Sequence, residues 1–215
     1  MAKVFVDISM SLDGFVAGPN QTLGEPLGKG GEQLHEWAFA LAAWRERHGE
    51  AGGETSPSSA VVDESLARTG AVIMGRRMFS GGEGPWPDDP NADAWWGDEP
   101  PFRVPVFVLT HHAREAEARQ GGTSFTFVTD GIEAALEQAR AAAEDKDVHV
   151  AGGANAVQQY LRAGLVDDVQ VHLAPVLLGA GVRLFDGLGD RPPNLESTRV
   201  VSAPAVTHLR YRVSS

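Results

Sequence analysis

Short runs of apolar and β-branched residues alternate with amphipathic segments along most of the chain. The apolar runs predict buried strands, and several end in glycine or a polar loop. They are residues 3–9 (KVFVDIS), 71–75 (AVIMG), 104–110 (VPVFVLT), 125–129 (FTFVT) and 148–153 (VHVAGG). Residues 32–47 and 154–164 have the spacing of amphipathic helices, and Asp130 with Glu133 forms a capping-box pattern for a helix through Ala143. Strands that alternate with helices indicate βαβ units and a parallel sheet.

The last third of the chain changes pattern. The runs DVQVHLAPVLLG, VRLF, ESTRVVS and VTHLRYRV follow one another without an intervening amphipathic helix, and they alternate as antiparallel strands do. The sequence therefore predicts an α/β fold with a mixed, largely parallel sheet and antiparallel strands at its C-terminal end. We expect residues 1–215 to form a single domain.

Composition narrows the classes of function. A net charge of −11 opposes binding to nucleic acid or to an anionic membrane, because both attract basic surfaces. The absence of cysteine excludes disulfides, thiolate nucleophiles and the cysteine ligands of a zinc deaminase. The seven histidines show no metal-ligand spacing such as HExxH. With no signal-peptide pattern and no apolar run of roughly 20 residues, we expect a soluble, cytoplasmic protein.

Three strand ends carry candidate binding chemistry. In VHVAGGAN (residues 148–155), glycines allow a ligand to approach the backbone, and the following helix start attracts a phosphate. In MGRRMF (residues 74–79), Arg76 and Arg77 follow a strand, and an arginine fork suits the 2′-phosphate of NADPH. In MSLDGFVAG (residues 10–18), Asp13 and Ala17 leave the first strand, where ligands of open α/β sheets collect.

Each of these motifs also has a structural interpretation. A Gly-Gly pair forms tight turns without a ligand, and the two arginines suit a solvated surface or pairing with some of the 29 acidic residues. Asp-Gly is an ordinary turn pair. The loop of residues 81–101 contains Trp86, Trp95 and Trp96, as expected for the wall of a pocket or an interface.

Taken together with residues 161–185 (LRAGLVDDVQVHLAPVLLGAGVRLF), these motifs resemble a known family. The chain is similar to the reductase domain of the bifunctional riboflavin-biosynthesis deaminase/reductase, within the dihydrofolate-reductase-like proteins. The resemblance covers nearly the whole chain and implies a stand-alone reductase. It further implies a three-layer α/β fold with helices on both faces of the sheet, NADPH across the strand ends, and a homodimer.

Carried over by position, the resemblance assigns roles to individual residues. Ala17 would meet the nicotinamide carboxamide, and Trp37, Leu178 and Gly179 would border the substrate pocket, the last two in the segment PVLLGAG (residues 175–181). The remaining cofactor positions are Gly75 and Arg76 for the phosphates, Arg77 beside them, Thr110 and His111 for the adenosine side, and Gly152, Gly153, Ala154 and Asn155 for the pyrophosphate.

The proton donor is the position where the sequence departs from dihydrofolate reductases. Those enzymes carry a carboxylate three residues before a helix tryptophan, whereas here Leu34 precedes Trp37 and Leu41 precedes Trp44. Asp13 is the predicted catalytic acid, with a pKa raised by desolvation beside the nicotinamide, and His35 is the other candidate. The resemblance implies hydride transfer to a small heterocyclic, carbonyl or imine substrate, with a pyrimidine of riboflavin biosynthesis as one candidate. The alternative is a protein that binds NADPH without turnover.

Overall fold

The protein is described by a computed structural model that covers residues 2–80, 85–86 and 96–214. Among these residues, nine strands form one sheet in the order β10-β11-β8-β1-β7-β3-β4-β6-β5, and β2 pairs with β9 in a small second sheet. The strands are β1 (Val4–Ser11), β2 (Phe15–Ala17), β3 (Thr69–Gly75), β4 (Pro105–Leu109), β5 (Glu117–Ala118), β6 (Ser124–Val128), β7 (Asp147–Gly152), β8 (Asp168–Ala174), β9 (Val182–Arg183), β10 (Asn194–Ala203) and β11 (Val206–Ser214).

The six described α-helices connect the strands and cover the sheet. They are α1 (Glu36–Phe39), α2 (Ala42–Arg47), α3 (Pro57–Arg68), α4 (Arg76–Ser80), α5 (Ile132–Ala143) and α6 (Ala154–Arg162), and two 3₁₀ turns span Gly31–Leu34 and Gln120–Gly122. β1, β7, β8, β3, β4 and β6 pair in parallel, while β11 runs antiparallel to both β8 and β10. The predicted mixed, largely parallel sheet with antiparallel C-terminal strands is confirmed.

The core lies on both faces of this sheet, because the parallel strands bury side chains on both sides. One face packs Val4, Val6 and Ile73 against Leu136 of α5 and Val157 of α6. On the opposite face, Phe79 of α4 and Phe125 of β6 belong to one cluster. Trp37, Leu41 and Val206 form another cluster there. The predicted three-layer arrangement is confirmed.

Two local predictions are wrong. Residues 32–47 do not form one helix, because Leu41 is extended and Glu54 bonds to the backbone on both sides of it: the Glu54 amide donates to Ala40, and the Ala42 amide donates to Glu54. These bonds replace the helical ones, although Leu34, Trp37 and Leu41 are buried as their spacing predicts. The capping box at Asp130 is also absent, because α5 is capped one residue later by Gly131, whose φ of 93° lies in the left-handed region.

Candidate functional site

The carboxyl ends of the parallel strands meet at one edge of the sheet. β1 lies between β7 and β8, and β3 lies between β7 and β4. This edge, called here the strand-end edge, therefore carries the polar and glycine-bearing segments that follow β1, β3, β4, β7 and β8. Ligands of open α/β sheets bind at such an edge. The topology thus brings together motifs that are up to about 165 residues apart, as the bond from Gly179 to Asp13 illustrates.

The two glycine-terminated strands β3 and β7 touch at the strand-end edge. A Cβ atom on Gly75 would lie 3.7 Å from the backbone nitrogen of Gly153 and 3.8 Å from the carbonyl oxygen of Gly152. Around Gly153 itself, a Cβ atom would meet nothing within 4 Å, so the space in front of this residue is open. Gly152 has a φ of 128°, and the Gly152–Gly153 peptide bond is cis.

Helix α6 starts in this open space. Gly153 is its N-cap, and Ala154 and Asn155 are its first residues. The first amides of a helix have no partner within the helix, and together with the helix dipole they attract anions. Asn155 is exposed, and its side-chain oxygen accepts a hydrogen bond of 2.7 Å from Gln159. The predicted pyrophosphate position is therefore open space beside glycine backbone at a helix start.

Arg76 and Arg77 begin α4, directly after Gly75. The Arg76 guanidinium lies over the Trp86 ring, 3.5 Å from its centroid, and Arg77 is exposed. The Trp86 indole nitrogen donates a 2.8 Å hydrogen bond to the carbonyl oxygen of His112. Arginine is the residue type that both stacks on aromatic rings and binds phosphates through a planar fork of N–H groups. Of the other tryptophans in this loop, Trp96 is described and Trp95 lies outside the described residues.

The segment after β4 forms a turn beside Trp86. Thr110 is buried, and its hydroxyl oxygen accepts a 3.1 Å hydrogen bond from the amide of His112. His111 is exposed at the tip of this turn. The structure therefore brings the predicted adenosine-side residues next to the predicted phosphate residues.

Asp13 holds the segment of residues 175–181 against the end of β1. Its carboxylate accepts a 2.6 Å bond from the Ser11 hydroxyl, a 2.7 Å bond from the Gly179 amide and a 3.2 Å bond from the Leu178 amide. The Ser11 bond and the two backbone amides lower the pKa of Asp13 to about 2. The expected raised pKa is wrong, because the carboxylate meets hydrogen-bond donors instead of apolar surface. These bonds favour a positioning role for Asp13.

Ala17 lies against the same segment. It is buried in β2, which pairs with β9. A Cβ atom on Gly181 would be 2.0 Å from the carbonyl oxygen of Ala17, so the two backbones are in direct contact. A small cavity of about 130 Å³ lies nearby, lined by Leu12, Leu173, Pro175, Ala203, Pro204, Val206 and Thr207. The predicted substrate-pocket residues Leu178 and Gly179 are thus adjacent to the predicted nicotinamide position.

Trp37 covers a group of buried polar residues that the sequence analysis did not identify. Its ring packs on His172 and His208, with ring centroids 4.7 and 5.1 Å apart, and its indole nitrogen donates a 3.2 Å bond to the Ser9 hydroxyl. His172 contacts the Asp7 carboxylate. The available signal was the presence of polar residues at inward positions of otherwise apolar strands, as in VDIS, VHL and THL.

His35, the other proton-donor candidate, precedes α1 and is half-buried. Burial, and secondarily the nearby His172, lowers its pKa to about 4. A neutral imidazole at neutral pH is a poor source of a proton, so His35 is not favoured as the acid.

A second, more polar cavity lies away from this site. It measures about 270 Å³ and is lined by Glu46, Arg47, His48, Gly49, Trp96, Glu99, Pro101 and Arg103. Arg103 precedes the amino end of β4, so this cavity is on the opposite edge of the sheet from the strand ends.

Within the described parts of the chain, we find no group of three or more His, Asp or Glu residues suited to a metal ion. No helix among those residues is long and apolar enough to cross a membrane.

The fold and its glycine-lined strand-end edge define a domain of the dihydrofolate-reductase-like class. Residues 2–209 match the RibD C-terminal domain family, and the chain belongs to that family.

Solved structures with the same fold come from several organisms. A putative riboflavin biosynthesis protein from Shewanella sp. PV-4 shares 19% identity, with a TM-score of 0.64 and full coverage of both chains. A pyrimidine reductase-like protein from Corynebacterium diphtheriae shares 13% identity, with a TM-score of 0.54, and the match covers 100% of this chain and 92% of that one.

A bifunctional enzyme from Thermotoga maritima has the same fold in part of its length. It is a diaminohydroxyphosphoribosylaminopyrimidine deaminase/5-amino-6-(5-phosphoribosylamino)uracil reductase, and it shares 15% identity with a TM-score of 0.56. The match covers 99% of this chain and 57% of that one. Comparison with curated protein sequences gave no match.

Proposed function

We propose that this chain is an NADPH-dependent reductase that transfers a hydride to a small heterocyclic, carbonyl or imine substrate. The observation that carries the proposal is the contact between Gly75 and the Gly152–Gly153 pair at the start of α6, in a member of the RibD C-terminal domain family. A pyrimidine of the 5-amino-6-(5-phosphoribosylamino)uracil type is the first substrate to test, because the Thermotoga maritima enzyme with this fold is named for its reduction.

The residues at the strand-end edge fit the cofactor. Gly153 and the first amides of α6 would hold the pyrophosphate in the open space described above. Arg76, stacked on Trp86, and the exposed Arg77 would hold the 2′-phosphate, with Thr110 and His111 on the adenosine side. NADPH, when bound, supplies the hydride.

The substrate side is formed by other parts of the same edge. Ala17 would face the nicotinamide carboxamide, and Leu178, Gly179 and Trp37 would border the substrate. Asp13 would fix the loop that carries Leu178 and Gly179. Its role is therefore to orient the pocket, since a carboxylate with three donors remains ionised at neutral pH.

Binding without turnover is the second candidate function. The specific observation in its favour is that Leu34 and Leu41, at the positions where dihydrofolate reductases would carry an acid, are buried apolar residues. The two candidates differ in one measurable property, because only a reductase oxidises bound NADPH when a substrate is added.

The first experiment is a titration with NADPH and NADH followed by tryptophan fluorescence. We expect NADPH to bind more tightly than NADH, because a charge-assisted arginine–phosphate bond contributes about 1.5–3 kcal/mol. In Arg76→Gln we expect NADPH binding to weaken about 10-fold or more, while NADH binding changes little. Arg212→Ala is the control, because this arginine is exposed on β11 and pairs with Glu196.

Two outcomes would contradict the proposal. Failure of the unaltered protein to bind either nucleotide would refute the cofactor site. NADPH binding without oxidation in the presence of the pyrimidine, pterins or small carbonyl compounds would favour the binding protein.

The predicted homodimer and the cytoplasmic location stay predictions, and sedimentation analysis tests the first of them.

A further inference from the structure

Two arginines from separate segments line the polar cavity of about 270 Å³. Arg47 is the last residue of α2, and Arg103 lies two residues before the start of β4. Neither forms an ion pair within the described residues, whereas the neighbouring Arg45 pairs with Glu50 at 3.1 Å. The cavity wall therefore carries two guanidinium groups that no described carboxylate contacts.

The two glutamates at the same cavity do not neutralise these arginines. Glu46 and Glu99 are exposed, and neither carboxylate lies within 4.0 Å of a nitrogen of Arg47 or Arg103. Burial, followed by the charge of Arg103, lowers the pKa of Arg47, and the charge of Glu46 opposes this with a smaller effect. The repulsion between the two guanidinium groups is thus stronger than the attraction of Arg47 to Glu46. An anion between the guanidinium groups would offset this repulsion.

Arg47 is held in place by the backbone that precedes β4. Its Nη1 donates a 2.7 Å hydrogen bond to the carbonyl oxygen of Pro101 and lies 3.4 Å from the carbonyl oxygen of Phe102. A guanidinium has five N–H groups in one plane. The Nε and Nη2 groups of Arg47 form no hydrogen bond with the part of the chain that the structure describes. Arg47 is therefore a fixed cation with donors left for a bound molecule.

The backbone at Arg103 has a conformation that few non-glycine residues adopt. Its φ of 58° lies in the left-handed region. The Arg103 amide donates a 2.9 Å bond to the hydroxyl of the buried Thr123, which donates a 3.2 Å bond to the carbonyl oxygen of Pro100. Such conformations cost free energy, and they are concentrated at functional sites. The Arg103 side chain is exposed and forms no hydrogen bond among the described residues.

Trp96 adds an aromatic wall to the same cavity. Its indole nitrogen donates a 2.7 Å bond to the carbonyl oxygen of Phe79, and its ring packs on Phe102 with ring centroids 4.8 Å apart. These contacts fix the plane of the Trp96 ring. The cavity thus combines two cationic groups with a fixed aromatic surface, so it suits a molecule that has both an anionic group and a ring.

The size of the cavity limits that molecule to about one ring. A volume of about 270 Å³ is below the roughly 300–1,000 Å³ of pockets that hold drug-sized ligands. We propose that this cavity binds a small single-ring organic anion. Its phosphate or carboxylate group contacts Arg47 and Arg103, since arginine binds both groups through paired N–H donors, and its ring lies against Trp96.

This site is separate from the predicted cofactor site. Arg103 precedes the amino end of β4, whereas the predicted adenosine-side residues Thr110 and His111 follow its carboxyl end. The inference therefore does not depend on the proposed function. We expect the anion and NADPH to bind without competition.

The first test is a titration of the full chain with phenyl phosphate and with benzoate. Binding is followed by the indole N–H signal of Trp96 in ¹⁵N NMR spectra. Phenol and inorganic phosphate are the controls, because the first has only the ring and the second only the anionic group. We expect a dissociation constant of about 1 mM or lower for at least one of the two ring anions. The tighter of the two identifies the anionic group.

The controls decide whether both halves of the molecule are recognised. We expect phenol and inorganic phosphate to bind at least 10-fold more weakly than the tighter ring anion, because each loses one set of contacts. The proposal is overturned when neither ring anion gives saturable binding, or when either control binds as tightly as the ring anion.

The second test locates the binding at this cavity. Arg103→Gln removes a guanidinium that forms no described hydrogen bond, so we expect an unchanged urea midpoint and about 10-fold or greater loss of affinity. Arg191→Gln is the matched control, because it makes the same change at an exposed arginine between β9 and β10. Unchanged affinity in Arg103→Gln, or displacement of the ring anion by excess NADPH, overturns the proposal. Failure of NADPH itself to bind refutes only the proposed function.

Discussion

A methyl group added at Gly75 should weaken binding of the cofactor without destabilising the fold. Gly75 does not have a positive φ, so alanine can adopt its conformation. The added Cβ would lie 3.7 Å from the Cβ of Ala156, 3.7 Å from the nitrogen of Gly153 and 3.8 Å from the oxygen of Gly152. These are ordinary van der Waals contacts. We therefore expect Gly75→Ala to leave the free energy of unfolding unchanged or to raise it by about 0.5–1 kcal/mol.

The same methyl group would obstruct a phosphate. An oxygen that accepts a hydrogen bond from the Gly153 amide stands about 2.9 Å from that nitrogen. A methyl carbon 3.7 Å from the same nitrogen competes for this space. Loss of one hydrogen bond to a charged group costs about 1.5–3 kcal/mol, which corresponds to a roughly 10- to 100-fold weaker affinity for NADPH.

Two assays on the same samples test this reasoning. Urea unfolding measures stability, and fluorescence titration measures the dissociation constant of NADPH. Gly24→Ala is the matched control, because its Cβ would meet nothing within 4 Å and its φ is not positive. An unchanged dissociation constant in a stably folded Gly75→Ala protein would refute the assignment of the phosphates to the contact between β3 and β7.

Three further predictions follow from individual contacts. Gly181→Ala should destabilise the protein by about 3 kcal/mol or more and lower its Tm by roughly 10 °C, since the added Cβ would lie 2.0 Å from the Ala17 oxygen at a φ of 139°. Gly189→Ala is the control, because this glycine also has a positive φ but open space around it, and it should lower the stability much less. Asp13→Asn should raise the KM of the substrate more than it lowers kcat, and a loss of kcat with a new pH profile would restore Asp13 as the acid. Calorimetry should show that the free energy of unfolding falls from pH 6.5 to 4, by about 3 kcal/mol from His208 alone. The pKa of His208 is about 4 in the folded protein and 6.5 in the unfolded chain, so the unfolded chain takes up the proton first as the pH falls. An equally steep fall in His208→Gln would contradict this.

Local patterns were enough to predict most of the strands and the glycine-bearing ends of β3 and β7. A buried strand that ends in glycine depends on residues close together in the sequence, and so does the burial of Leu34, Trp37 and Leu41. The break at Leu41 depends instead on Glu54, which bonds to the backbone from outside the helical pattern. No helical periodicity can show such a bond.

The candidate site was predicted where its residues follow strands, and it was mispredicted where partners come from distant segments. The raised pKa expected for Asp13 assumed an apolar surrounding, but its donors Leu178 and Gly179 are 165 and 166 positions away. His172 and Asp7 are likewise 165 positions apart. Sequence spacing gives the direction of a side chain along its own strand, but sheet order decides which groups it meets.

Asp7 and Asp13 show why the kind of partner decides the chemistry of a carboxylate. Both belong to β1 or the turn that follows it, and both are held ionised. Asp13 accepts from a hydroxyl and from backbone amides, whose hydrogens cannot be given up at neutral pH, so its bonds can only fix a loop. Asp7 contacts the His172 imidazole and also accepts bonds from Ser65 and Gln170, so its bonds hold β1 against β8 and α3. Asp7 therefore ties a strand to its neighbours within the fold, whereas Asp13 orients the loop that carries Leu178 and Gly179 at the strand-end edge.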